Sequence, residues 1–201
     1  MFNLIRRDVI IQKRQLLIFI PFILFFIIMG AHPALTFLVA SIFIPFNTYG
    51  YDEKVETNIL LNSLPYTRTE IIASRYLGAI VYMVLAIGVT SVALFAFNKP
   101  FSFTDIAIGS GLFLLFAALT FPLFYIFKQG YITTVVIISF ILLTWMAGPV
   151  VSFINENLTA ITAFIVNLSI PVLYMGATII IMFVYALSWG ITNIIYKRKA
   201  F

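Results

Sequence analysis

Apolar residues run through this chain in long blocks that polar side chains barely interrupt. Five stretches contain no Asp, Glu, Lys or Arg: Gln15–Tyr51, Tyr76–Asn98, Ile106–Phe127, Gln129–Asn155 and Asn157–Tyr196. A bilayer core about 30 Å thick takes roughly 20 apolar residues per helix, so the blocks predict about six spans. The pattern places span one at about Leu16–Met29 and span two at about Ala34–Tyr51, joined by a tight Gly30-Ala31-His32-Pro33 turn. Span three is about Tyr76–Phe97, and a short Asn98–Asp105 loop leads into span four at about Ile106–Phe127. Lys128-Gln129-Gly130 makes the next turn, and span five opens at Tyr131. Pro21 is a candidate kink, and Gly148-Pro149 is expected to bend or break span five.

The last block, Asn157–Tyr196, holds 40 uncharged residues. That length accommodates two poor spans, or one good span and an outer excursion. Two spans would put Lys197-Arg198-Lys199 on the far side from the other basic residues, against the retention of Lys and Arg in the cytoplasm. The expectation is therefore an outer, partly re-entrant helical hairpin over 150–170 and a sixth span at about Val172–Ile195. At the other end, Phe2, Ile5, Val9 and Ile10 oppose Arg6, Arg7, Lys13 and Arg14 over residues 1–14. This is the pattern of an interfacial helix, the plainer alternative being a frayed basic terminus. The fold class is then an all-α membrane protein, one transmembrane domain over 1–201.

Composition agrees: the chain is 63% hydrophobic and only 9% charged, which leaves no room for a soluble enzyme domain. The absence of cysteine removes disulfide, thiolate and Cys-based metal chemistry. A net charge of +5 raises the question of a nucleic-acid partner. In a six-span arrangement, however, every Lys and Arg except Lys99 falls on one side, so the charge reports topology. Both termini are expected in the cytoplasm of a plasma membrane. Tyr49, Tyr51, Tyr76, Tyr125, Tyr131, Trp189 and Tyr196 gather near the same boundary, as an aromatic belt would.

One polar insert breaks the pattern. Asp52–Arg75 carries seven of the nineteen charged side chains. Asp52 and Glu53 suit the opening of a short helix, where carboxylates face the positive end of the dipole. Val55, Ile59, Leu60, Leu61 and Leu64 give it an apolar face, and Pro65 stops it. Thr67-Arg68-Thr69-Glu70 then matches a capping box, with Tyr66 and Ile71 placed for a hydrophobic staple. The second helix is expected to continue through Arg75 into span three as a stem.

This insert, acidic–basic then Leu-Leu-x-Ser-Leu-Pro-x-x-Arg, reads Glu53-Lys54 followed by Leu60-Leu61-Asn62-Ser63-Leu64-Pro65-Tyr66-Thr67-Arg68. With the interfacial terminus and six spans it resembles the permease subunits of ABC-2 type (type V) ATP-binding-cassette transporters. Within them it is most similar to small Gram-positive permeases that export phenol-soluble modulins and antimicrobial peptides. The resemblance implies a bacterial plasma-membrane exporter subunit with a cytoplasmic coupling helix at 52–65. Its partners would be a second permease chain, alike or different, and separate ABC ATPase subunits. ATP and magnesium would be bound in those ATPases, with no cofactor in this chain. Glu53, Lys54, Glu56, Asn58, Leu60 and Leu61 would dock the ATPase, with Pro65, Thr67 and Glu70 bracing the stem. The alternatives are a non-ABC small carrier or an accessory interaction subunit. For the insert itself, the plainer alternative is an amphipathic loop that steadies its own base.

Catalytic chemistry finds little footing. His32 is the single histidine and sits in a turn, and neither H-E-x-x-H nor a P-loop is present. Gly109-Ser110-Gly111 superficially suits a serine nucleophile, yet without an intramembrane histidine it reads as close helix packing. No ionisable residue is expected at the membrane midplane, where ion-coupled carriers need one. An external energy source and an amphipathic or lipophilic cargo follow.

Overall fold

A computed structural model describes residues 13–54, 67–127, 131–157 and 167–198. Six long helices account for them: α1 (Lys13–Ile28), α2 (Pro33–Lys54), α3 (Arg68–Ala96), α4 (Phe103–Ile126), α5 (Ile132–Asn157) and α6 (Ile170–Arg198). No strand occurs among the described residues. α3, α4 and α6 are long and apolar enough to cross a membrane, while Ile18–Ile28, Pro33–Asn47 and Val136–Val150 are shorter apolar runs.

The helix ends follow from local chemistry. Between α1 and α2, Gly30 takes φ +71°, and the His32 ring accepts the Ala34 N–H at Nδ1, 3.3 Å away. Pro33 fills the first helical position, where a missing N–H costs nothing. α3 ends with Asn98 in the left-handed region (φ 51°). The Asn98 N–H bonds Phe95 O and the Lys99 N–H reaches back to Leu94 O at 2.9 Å, the bonding of a Schellman stop with asparagine in place of glycine. α4 opens on a second capping box: the Asp105 N–H reaches Ser102 Oγ, and the Ser102 N–H donates to Asp105 Oδ2.

Two elements run past their expected limits. α2 carries the helix unbroken through Asp52 and Glu53 to Lys54, so those carboxylates do not open a separate helix. α5 passes through Gly148-Pro149 to Asn157 without the expected break. A proline inside a helix removes one hydrogen bond and need not end it, particularly where the flanking residues are apolar and helical on both sides. Residues 150–157 therefore belong to α5, and 158–166 lie outside the described residues. Pro21, Pro45 and Pro122 are likewise accommodated inside helices.

α4 is central and packs against α2, α5 and α6, while α3 lies on α2 and α6, and α1 on α2. Its seam with α6 repeats. Thr104 meets Tyr174 by a hydroxyl bond of 2.8 Å, Gly111 faces Ile181, Ala118 meets Ser188, and the Tyr125 and Tyr196 rings lie 5.2 Å apart. Each step along α4 is seven residues, the spacing that keeps two helices in contact along one stripe. Because both partners advance in the same sense, α4 and α6 run parallel. The chain between them therefore leads from the Ile126 end of α4 back to the opposite end of the bundle, where α6 begins.

Gly109 fixes the α2–α4 crossing. A Cβ there would lie 2.7 Å from Phe37 Cβ and 2.8 Å from the Ala34 carbonyl oxygen. Close packing is thus the role of the Gly-Ser-Gly segment: Gly109 faces α2, Gly111 faces α6, and the Ser110 hydroxyl bonds Ala107 O in its own helix. Below this crossing Phe46 of α2 packs its ring among Phe116, Phe121 and Phe124 of α4.

Candidate functional site

The end of the bundle where α3 begins and α6 finishes carries Arg68, Arg75, Lys197 and Arg198 and is its basic end. α3 starts there because Thr67, in an extended conformation, turns its hydroxyl oxygen to the Glu70 N–H at 3.2 Å. The Glu70 carboxylate returns to the Thr67 N–H at 2.8 Å and accepts the Thr67 hydroxyl at 2.9 Å. These bonds, the backbone one first, hold the Glu70 carboxyl below its ordinary range. The capped turn sits on a buried base: Ile71 and Ile72 lead the core cluster, and Arg75 is buried as well.

From that base the stem is fastened to α6 twice. The Arg68 guanidinium donates from Nη1 to Lys197 O at 3.0 Å and to Tyr196 O at 3.4 Å. Two turns further on, the Tyr76 hydroxyl lies 2.8 Å from Ser188 Oγ and 2.7 Å from Thr192 Oγ1, and Tyr185 donates its hydroxyl to Tyr76 O at 2.9 Å. All four side chains are buried.

The third helix is tied in by a proline. Pro122 has no N–H to give the carbonyl four residues earlier, so Ala118 O is left without its intrahelical donor. Ser188 Oγ donates to that carbonyl from α6. A proton count completes the knot. Ser188 gives its proton to Ala118 O and Thr192 donates to Ser188 O at 2.9 Å, which leaves the single Tyr76 hydroxyl proton shared between Ser188 Oγ and Thr192 Oγ1. The arrangement binds α3, α4 and α6 into one unit in a medium where no water would satisfy these groups. It contains hydroxyls and carbonyls and no charge, so its chemistry is that of a fastening.

Of the residues singled out from sequence, Glu53 and Lys54 end the described part of α2. Glu56, Asn58, Leu60, Leu61 and Pro65 lie outside the described residues, as does Tyr66. Thr67 and Glu70 make the capping box at the start of α3. The aromatic residues expected at the boundary divide: Tyr131 and Trp189 are exposed, whereas Tyr76, Tyr125 and Tyr196 are buried inside the bundle. His32 is largely solvent-facing at the opposite end, 3.7 Å from Asp105. Among the described residues no three His, Cys, Asp or Glu side chains group as metal ligands would. Sequence reasoning missed the reach of Arg68 and the Tyr76–Ser188–Thr192 knot. Pro122 was the available signal, since an internal proline in a membrane helix demands an outside donor.

The chain matches the model of the ABC-2 family transporter protein family over residues 3–197. It belongs to that family. It is accordingly a membrane transport component, the permease subunit of an ABC transporter, in a multi-pass plasma-membrane setting. Membership implies an ABC ATPase as partner. No curated protein and no solved structure matches the chain.

Proposed function

We propose that this permease subunit works in an ATP-driven exporter, paired with a second permease chain and two separate ATPase subunits. The observation that carries the reading is the family match over nearly the whole chain, which includes the polar insert that precedes the capped stem. In this reading the basic end faces the cytoplasm, both termini lie there, and six helices span the membrane. The insert at 52–65 serves as the coupling element, entered from the last turn of α2, and Glu53, Lys54, Glu56, Asn58, Leu60 and Leu61 lodge in a groove of the ATPase. Helix-in-groove docking uses such spacing of leucines and charges.

Pro65, Thr67 and Glu70 brace the joint. ATP-driven closure of the ATPases displaces the insert, and the rigid stem carries the movement into the bundle and the permease–permease interface. Two bundle states that differ in affinity for the nucleotide-bound ATPase are all that such coupling requires. The cargo is an amphipathic peptide or another lipophilic molecule, in keeping with spans that hold no ionisable group for ion coupling.

The test is Leu61→Asp. It is expected to abolish co-purification of the Walker-motif ATPase, identified by mass spectrometry, while the permease still inserts into the membrane. Undiminished recovery of the ATPase would remove docking from the account.

A further inference from the structure

Arg68 stands where local rules disfavour it. It is the first residue of α3, at the positive end of that helix's dipole. Its guanidinium instead meets the negative end of antiparallel α6, bonding Lys197 O at 3.0 Å and Tyr196 O at 3.4 Å. α6 ends at Arg198, so these are two of the last four carbonyls, which have no partner within their own helix. A residue that is a poor choice for its own helix and a good one for its neighbour's end is placed for the contact between them.

We infer that Arg68 is a latch that makes α6 follow the stem, so that displacement of the insert reaches α6 and, through the seven-residue seam, α4. The inference rests on the reading that an ATPase grips the segment before Thr67. Arg68 is a positioning residue and touches no cargo. Its geometry suits the task, because Thr67 and Glu70 fix the turn from which its side chain leaves. The Tyr76 hydroxyl knot lies eight residues beyond it, about 12 Å along the helix. With both points held, the stem cannot tilt without α6. With Arg68 removed, its two bonds to the end of α6 are lost, and the stem's first turn is freer to move against α6.

The chain has no cysteine, so introduced pairs report cleanly. Spin labels at Thr69→Cys and Arg198→Cys read the latch, and labels at Lys99→Cys and Ile170→Cys read the opposite end as a control. Distances are measured in lipid nanodiscs with the permease alone, and again with its co-purified ATPase trapped by ADP and beryllium fluoride. With native Arg68, one narrow distance is expected at the latch in both states. In Arg68→Gln the detached population should rise roughly ten-fold, as loss of a charge-assisted bond implies. The control pair should stay unchanged, whereas general destabilisation would broaden both. Arg68→Lys, whose ammonium can still reach one carbonyl, should restore part of the native distribution, and it reads the latch if Arg68→Gln fails to fold.

A native-like latch distance in Arg68→Gln overturns the proposal. So does lengthening of the native pair when the trapped ATPase binds, since α6 then fails to follow. If no ATPase binds the native chain, the docking reading falls and the relay with it, while the partner-free distances still decide whether Arg68 holds α6.

Discussion

At the basic end, α3, α4 and α6 are tied by hydroxyls, a guanidinium and packed rings, whereas at the opposite end α2 and α4 meet through bare backbone at Gly109. The Ile170 half of α6 is thinly held there: the buried residues of α6 are Tyr185, Ser188, Thr192 and Tyr196, all in the half toward the basic end. Toward the Ile170 end it keeps the Tyr174–Thr104 bond, which is exposed, and the approach of Ile181 to Gly111. Polar bonds between buried groups are directional and expensive to break in apolar surroundings, while contacts by shape tolerate sliding. The stem end is thus tied together as a block. The other end is built to pack closely at one crossing and loosely elsewhere.

The sharpest way to break this comparison is at the crossing. Gly109→Val should cost about 3 kcal/mol or more, because the colliding atoms are a Cβ and a carbonyl that cannot swing aside. Gly111→Ala should be neutral within about 0.5 kcal/mol, since its neighbour is the far end of Ile181 and alanine favours helix. Thermal unfolding of the two variants in the same detergent compares them directly, and equal losses would deny that backbone approach governs that end.

A smaller effect is expected in the knot. Ser188→Ala leaves the Ala118 carbonyl, already deprived by Pro122, without a donor and should destabilise by about 1–3 kcal/mol. Tyr76→Phe should cost less, about 1 kcal/mol, because Ser188 and Thr192 keep their carbonyl acceptors. The reverse order in unfolding measurements would mean that Tyr76, and not the orphaned carbonyl, is the centre of the knot.

Next comes the cap. Thr67→Ala should cost about 1 kcal/mol and lower permease-stimulated ATP hydrolysis, and full stimulation in that variant would show that the stem's first turn is no relay. The least effect separates the two capping boxes by pH. Glu70 and Asp105 are both held below the ordinary carboxylate range, first by the backbone N–H and then by the hydroxyl of their cap residues. A depressed folded-state pKa gives stability above the unfolded value, about 4, that is lost as pH falls through the folded one. Amide protection factors at residues 67–71 and 102–106, taken relative to the unfolded chain at each pH, should therefore stay flat from neutral pH to about 5 and fall only in stronger acid. A fall in protection near neutrality at either box would contradict the carboxylate assignment there.

The start of α3 was legible because a capping box is local: Thr67 and Glu70 are three residues apart, and their bonding depends on nothing distant. The Ser102–Asp105 box was passed over because the helix was taken to begin at Ile106, and the shorter carboxylate makes a weaker signature. Turn chemistry at Gly30 and Pro33 was readable for the same reason as Thr67. The expected end of span five was overdrawn at Pro149, since sequence shows the lost N–H and not the helical context that tolerates it. Tyr76, Tyr125 and Tyr196 were read as facing the membrane boundary because composition reports that an aromatic lies near the interface, not which way it points.

By itself, then, the sequence determined the helical class, the membrane setting, the helix starts at Thr67 and the concentration of basic charge at one end, because each follows from local bonding or from transfer out of water. Tertiary structure alone decided that α4 and α6 run parallel in a seven-residue register, that Ser188 answers the carbonyl Pro122 leaves open, and that Arg68 reaches across to Tyr196 and Lys197. Those contacts join residues 70 or more positions apart, and no local preference encodes such a meeting until the helices have packed.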